Sequence, residues 1–351
     1  MRIINPNDYK LPYDEIHAGF YSAAYFTRGS KILENLGMEE AVTMQVFQKR
    51  QSMIAGLNEA AAILKVCSNS WDDIVVNALP EGSVAQPWET VMTIEGPLRA
   101  FMHLESVYLG ILRDATTVAT NTMNIVQAAN GKPVICMADR FNGFENQARQ
   151  GAAALLAGAS SVVTPAGVSR VVGQEAMGTM PHALIAAFDG DVVHAAAAFQ
   201  RAYPDVKLIA LVDFNNDCVH DALKCADAFG NNLFAVRLDT SEKMVDESIK
   251  REPNLDPYLD DTILHGVCPK LVHNVRNALD EAGHSKVKIA VSGGFNVNKV
   301  TKFEQENVPV DIYGVGSSIL QGGSDFTADV VVPVAKVGRR YNPNPKLELI
   351  N

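Results

Sequence analysis

Five cysteines in 351 residues, Cys67, Cys136, Cys218, Cys225 and Cys268, are too scattered and of the wrong parity for a disulfide framework, and no two form the C-x-x-C pair of a zinc site. They read as buried thiols in a reducing compartment. Long apolar runs are missing too: none approaches the ~18 residues needed to cross a bilayer. The first ten residues, "MRIINPNDYK", lack the apolar stretch of a signal peptide, so a cytoplasmic protein without a membrane partner is expected. Positive charge is scarce: 30 Lys+Arg stand against 40 Asp+Glu, the formal net charge is −10, and no run of five or more basic residues occurs. Nucleic acid and anionic membrane surfaces are therefore disfavoured as partners, and any bound anion must be held by a local cluster. No internal repeat and no low-complexity segment is visible.

What is present is ample material for a large core, with 47% hydrophobic and 20% charged residues. The length suits one α/β barrel carrying an accessory domain. From about residue 133 onward, short β-branched apolar runs alternate with helix-period segments, the pattern of βα units. Seven strand candidates follow: "PVICMA" (133–138), "SSVVTPA" (160–166), a short piece at "GTMP" (178–181), "KLIALVDF" (207–214), "LFAVRLD" (233–239), "KIAVSGG" (288–294) and "VDIYGVG" (310–316). Between them lie helices such as "CPKLVHNVRNALDEAG", where Pro269 suits the first turn, Leu271, Val275, Ala278, Leu279 and Ala282 share a face, and Gly283 can end it. Near-continuous apolar strands joined by helices predict a covered parallel sheet. An incomplete seven-stranded α/β barrel fits best, over residues 119–321.

Residues 1–118 show no βα rhythm and predict a separate α+β sandwich domain, with helix over "AVTMQVFQKRQSMIAGLNEAAAILK" and a β-like piece at "ETVMTIEGPL". Residues 322–351 hold the strand-like "ADVVVPVAKV" with no helix after it, and are expected to rejoin that first domain.

In βα barrels ligands sit at the carboxyl ends of the strands, and phosphate is often held by the loops after the last two. Gly293 and Gly294 end one strand candidate, and Gly314, Gly316 and Ser317 end the next. Without Cβ, such backbone can approach phosphate oxygens closely and turn several N–H groups toward one anion. Glycines also make ordinary tight turns, so the pairing at adjacent strand ends carries the inference. Arg237 and Asp239, two apart, share a strand face; Asp213, Asp139 and Arg140 end other strands; His182 follows Pro181 at the short third one. Each Arg beside an Asp is ordinarily a satisfied ion pair, and convergence is what raises them above that. Carboxylates beside a phosphate cradle suggest Mg²⁺ or sugar hydroxyls, and arginines suggest further anionic groups. His194, His220, His265 and His273 lie in or beside helices and read as ordinary partners. Lys207 and Lys288 begin their strands, which leaves a Schiff-base aldolase without its lysine.

The ordered motifs "DRFN…GTMPHAL…LVDFNND…FAVRLDT…VSGGFNV…YGVGSS", with "FYSAAYFTRG" and "EGPLRAFMHLESVYLGILRDATTVAT" before them, closely resemble the nicotinate phosphoribosyltransferases, members of the type II phosphoribosyltransferases. The resemblance spans nearly the whole chain. It implies an α/β domain beside an incomplete barrel, and synthesis of nicotinate mononucleotide and diphosphate from nicotinate and 5-phosphoribosyl diphosphate, with Mg²⁺ carried by the diphosphate and ATP hydrolysis coupled to turnover. By the same resemblance Gly293, Gly294, Gly314, Gly316 and Ser317 hold the 5′-phosphate, Arg237 meets the nicotinate carboxylate, Asp239 and Asp213 hold the ribose, and Asp213 is a candidate Mg²⁺ contact. Arg140 faces the diphosphate, His182 is phosphorylated from ATP, and Tyr25 stacks on the pyridine ring from the neighbouring subunit of a homodimer or larger homo-oligomer.

Two positions depart from that pattern. Met137 stands where an aromatic residue is common, leaving Phe141 as the substitute for ring stacking. Ser160 and Ser161 stand where nicotinamide-using relatives place an acidic residue, which favours nicotinate. The alternatives are a quinolinate or nicotinamide phosphoribosyltransferase, or a non-catalytic nucleotide-binding homologue.

Overall fold

Backbone pairing is decided first where β-branched residues cluster. The computed structural model describes residues 2–252 and 261–350. Ala41–Gln48 (β1), rich in Val and Thr, is a strand whose second half is buried throughout, not part of the helix expected over 41–65. Val42, Thr43 and Val46 pack well on a pleated surface and lose side-chain freedom in a helix. The helix begins only at Leu57–Cys67, behind Gly56, whose φ of 88° breaks the chain direction. Its free N-terminal amides are met by Glu81, whose carboxylate accepts from Gly56 N at 3.0 Å and Asn58 N at 2.7 Å. Val75–Ala78 (β2) and Thr90–Pro97 (β3) pair antiparallel, and β3 pairs in turn with β1.

The barrel strands are Val134–Cys136 (β4), Ser161–Val162 (β5), Leu208–Leu211 (β6), Leu233–Leu238 (β7), Lys288–Val291 (β8) and Ile312–Val315 (β9). They form one parallel, curled six-stranded sheet in the order β5-β4-β9-β8-β7-β6. The barrel is incomplete as expected, but among the described residues it has six strands rather than seven. The short strand expected at 178–181 is absent: that segment has no regular secondary structure, and its approach is tied to the sheet by Met177 N donating to Val162 O at 2.9 Å. Gly178 offers no side chain to pack and Pro181 no N–H to a ladder, so the sheet opens between β5 and β6. On the concave side, Ala290 stands opposite both Arg237 and Ile312. On the outer side, helices such as Pro269–Glu281 bury Leu271, Val275 and Leu279 against the main core, with Pro269 in the first turn.

Phe326–Val332 (β10) pairs with β1 and Glu348–Ile350 (β11) with β2, so the C-terminal segment completes a five-stranded sheet in the order β10-β1-β3-β2-β11. The helix Glu105–Ala128 joins the two halves. Its Tyr108, Ile111 and Leu112 pack in the N-terminal core, and its Ala115, Val118, Ala119 and Ile125 in the barrel core. Among the described residues no helix is long and apolar enough to cross a membrane. All five cysteines are buried and unpaired.

Candidate functional site

Strand direction brings four polar side chains to one rim. Strand alternation puts Arg237, near the end of β7, on the same inner face as its register partner Ala290, whose small side chain leaves room beside it. The guanidinium donates through Nη1 to Thr179 Oγ1, and its Nη2 lies 3.8 Å from Asp239 Oδ2. Among the described residues its Nε is buried without a protein partner. Burial pulls the Arg237 guanidinium below its ordinary value, against the support of Asp239 and Asp213, and Arg140 adds to the fall. Asp239 Oδ1 accepts from Ser292 Oγ at 2.7 Å, which fixes this carboxylate at the mouth of the strands.

Asp213, just past β6, is almost fully buried and accepts from His182 Nε2 at 3.0 Å. Among the described residues its other oxygen, Oδ1, is buried and has no hydrogen-bond partner. Burial pushes the Asp213 carboxyl above its ordinary value; the His182 hydrogen bond and charge pull against that, and Asp239 reinforces it. His182 begins the short helix His182–Ala186 and is half exposed. With Nε2–H donated to Asp213, the Nδ1 lone pair is left free.

The glycine loops close the ring of groups. Gly293 and Gly294 adopt φ of 88° and 68°, the left-handed region that favours glycine. A Cβ at Gly293 would stand 3.4 Å from Asp239 Oδ1, which places this loop directly beside the carboxylate. Among the described residues the backbone N–H groups of Gly293, Gly294, Gly316 and Ser317 donate to no protein acceptor. At Gly314 a Cβ would meet Met137 Cε at 2.8 Å and Ser292 Cβ at 3.3 Å; at Gly316 it would meet Phe141 Cε2 at 2.8 Å. Met137 therefore packs beneath Gly314, whereas Phe141, 48% exposed, lies at the rim with the Arg140 guanidinium 5.6 Å from its ring centre.

His182, Asp213, Arg237, Asp239, Gly293, Gly314, Gly316, Phe141 and Arg140 thus form one continuous neighbourhood. Tyr25 is not part of it within this chain. It sits on the helix Ala24–Asn35, 69% exposed, with the Phe26 ring 4.5 Å away. Asp139 accepts from Gln147 Nε2 at 3.1 Å through its backbone carbonyl, and among the described residues its carboxylate makes no hydrogen bond or ion pair. Ser160 and Ser161 spend their hydroxyls on the backbone carbonyls of Val134, Val162 and Glu175. Two site residues escaped the sequence reading, Thr179 and Ser292. Both are short hydroxyl side chains beside motifs already singled out, and nothing but proximity to "PH" and "GG" marked them.

A family model described as the N-terminal domain of quinolinate phosphoribosyl transferase matches residues 24–116. A nicotinate phosphoribosyltransferase of Mycobacterium tuberculosis is 28% identical over 246 residues, which are 69% of this chain and 47% of that protein. A second from the same organism is 27% identical over 268 residues, 75% and 53% of the two chains, so the chain spans about half the length of the curated relatives it matches. The crystal structure of a nicotinate-nucleotide pyrophosphorylase from Pyrococcus furiosus is similar over 97% of this chain and 85% of that one, with 32% identity and a TM-score of 0.80. Human nicotinic acid phosphoribosyltransferase shares the fold, with 17% identity and a TM-score of 0.65 over 91% of this chain and 76% of that one.

Proposed function

The chain belongs to the type II phosphoribosyltransferases, and from that premise we propose that it transfers the 5-phosphoribosyl group of phosphoribosyl diphosphate to nicotinate, releasing nicotinate mononucleotide and diphosphate, with ATP hydrolysis coupled to turnover. The observation that carries this is the gathering of Arg237, Asp239, Asp213 and His182 at the carboxyl ends of adjacent parallel strands beside two left-handed glycines.

Displacement at the anomeric carbon builds positive charge on the ribose as diphosphate leaves, so the work is positioning and charge stabilisation rather than nucleophilic attack by the protein. The free N–H groups of Gly293, Gly294, Gly316 and Ser317 suit the 5′-phosphate. Asp239, fixed by Ser292, suits the ribose hydroxyls. Arg237, held by Thr179 and with Nε unpartnered, suits the nicotinate carboxylate. Arg140 faces the diphosphate, and Phe141 at the rim offers the ring face that Met137 does not.

Among the described residues no group of three or more His, Cys, Asp or Glu could hold a metal alone. Mg²⁺ would arrive with the diphosphate, and Asp213, whose buried Oδ1 lacks a partner, is the carboxylate that could join its shell. Bound there, Mg²⁺ would offset the charge of the leaving group. His182, oriented by Asp213 and with Nδ1 free, is the group that accepts phosphoryl from ATP.

Tyr25 acts in the site of a second copy. Its helix Ala24–Asn35 buries none of its residues, and Phe20, Tyr21, Ile32 and Leu36 beside it are exposed, an apolar surface that a homodimer would cover. Nicotinate is favoured over nicotinamide because Ser160 and Ser161 bring no carboxylate to receive an amide. Quinolinate is the rival, supported by the match to the N-terminal domain family; its second carboxylate needs a further cation beside Arg237, and Arg140 is the one at hand.

The test is diphosphate release by the purified protein with phosphoribosyl diphosphate and Mg²⁺, offered nicotinate, nicotinamide or quinolinate, with and without ATP. Release with nicotinate, enhanced by ATP, is expected. Release with quinolinate alone, accompanied by carbon dioxide, would replace this reading, and binding of the mononucleotide without any release would make the protein a non-catalytic homologue.

A further inference from the structure

Lys299 stands in the first turn of the helix Val297–Gln305, with its backbone N–H donated to Asn296 Oδ1 at 3.0 Å. Its side chain folds back toward the glycine loop. Nζ lies 4.3 Å from the Phe295 ring centre and 5.9 Å from that of Phe303, and donates to Gly293 O at 3.2 Å. Among the described residues it forms no ion pair; Glu242 and the Cys268 thiol are the acidic groups within electrostatic reach. This half-buried ammonium, packed on the Phe295 ring, spends its one hydrogen bond on the neutral carbonyl of Gly293, so its effect falls on the loop it touches.

The geometry of the peptide says how. In a trans peptide the C=O of one residue and the N–H of the next point in opposite directions. Holding Gly293 O on Lys299 therefore fixes the Gly294 N–H on the opposite side of that peptide plane. Gly294 itself has nothing within 4 Å of where a Cβ would stand, so no side-chain packing fixes its orientation. With φ of 88° and 68°, Gly293 and Gly294 are free to flip unless something holds this peptide.

We propose that Lys299 is a positioning residue for the phosphate cradle: its ammonium locks the Gly293–Gly294 peptide so that the Gly294 N–H faces the 5′-phosphate, and its charge favours the dianion there. The inference rests on the reading that this loop takes the 5′-phosphate. It sets Lys299 apart from the groups assigned to the pyridine and the ribose.

The probes are ribose 5-phosphate and, separately, nicotinate, each titrated calorimetrically into full-length protein, Lys299→Met and Lys299→Arg. Met keeps the apolar stem against Phe295, and melting temperature shows that the fold is intact. The expected result is about tenfold weaker ribose 5-phosphate binding in Lys299→Met, equivalent to ~1.4 kcal/mol, partial recovery in Lys299→Arg, and unchanged nicotinate binding. Equal ribose 5-phosphate binding by wild type and Lys299→Met, or an equal loss for both ligands, would overturn the assignment. If the wild type does not bind ribose 5-phosphate, the assignment also falls; diphosphate release from phosphoribosyl diphosphate and nicotinate then decides separately whether the reaction class survives.

Discussion

At the scale of single residues, Arg237 carries the sharpest prediction. A planar guanidinium can pair bidentately with a carboxylate, and a lysine ammonium cannot. Losing one hydrogen bond to a charged group costs about 1.5–3 kcal/mol, so Arg237→Lys should raise the nicotinate KM roughly ten- to hundredfold while the phosphoribosyl diphosphate KM moves little. Steady-state kinetics with each substrate varied in turn checks this, and an unchanged nicotinate KM would remove Arg237 from the ring site. Because Asp213 accepts from His182 Nε2, His182→Ala should abolish the stimulation by ATP while leaving basal transfer measurable, read as diphosphate released with and without ATP. Strand-end charges were legible in the sequence because period-two alternation places residues 237 and 239 on one face. Thr179 and Ser292 were not, because a hydroxyl gains meaning only from what it touches, here the guanidinium of Arg237 and the carboxylate of Asp239.

At the scale of elements, runs of β-branched residues mark the barrel strands, whereas Gly178 without a side chain and Pro181 without an N–H keep 178–181 out of the sheet. β1 was misread as helix because Met44, Gln45 and Gln48 fit either period, and only pairing with both β3 and β10 settles it. Close contacts between two helices leave no trace in a pattern at all. Gly151, in the helix Gln147–Leu156, packs against Gly167 so closely that a Cβ would stand 2.2 Å from Gly167 O. Neither partner has a side chain that could move aside, so Gly151→Ala must displace backbone and is expected to cost about 1–3 kcal/mol or more, seen as a lower midpoint in urea. Glu105, opening the long helix, is a second element-level case. Burial, and then the charge of Asp329 on β10, raise its carboxyl from an ordinary 4.5 to about 7. A raised folded value means that the fold prefers the neutral form, so the stabilisation is full below pH 4.5 and is lost as pH rises through about 7. Melting temperature of the wild type should therefore fall between mildly acidic and alkaline buffers more than that of Glu105→Gln.

At the scale of the whole molecule, the two halves are tied by a charge cluster that no local pattern could reveal, since its members are spread over 111 residues of chain. Glu59, on the N-terminal helix Leu57–Cys67 and only 2% exposed, receives Arg149 Nε and Nη2 at 3.0 and 2.9 Å and Arg170 Nη1 at 2.6 Å. Arg149 reaches on to Asp114 of the long helix at 3.3 Å, and Arg170 to the carbonyl of Tyr9 at 3.2 Å. Both arginines belong to the barrel half, which sets the site, whereas Glu59 comes from the N-terminal half and Asp114 from the long helix that enters both cores. Burial alone would push the Glu59 carboxyl up, but the hydrogen bonds and charges of Arg149 and Arg170 hold it below its ordinary value. Its contribution to stability is thus present above the unfolded carboxylate value and is lost as pH falls through the depressed folded one. Removing Glu59 from this buried set leaves Arg170 without an anion and Arg149 with Asp114 alone, at a cost of about 3–5 kcal/mol. Glu59→Gln is accordingly expected to lower the urea midpoint at neutral pH by a margin that shrinks on acidification, because protonation deprives the wild type of the same charge. A Glu59→Gln protein as stable as the wild type at neutral pH would mean that this charge cluster contributes nothing to holding the halves together.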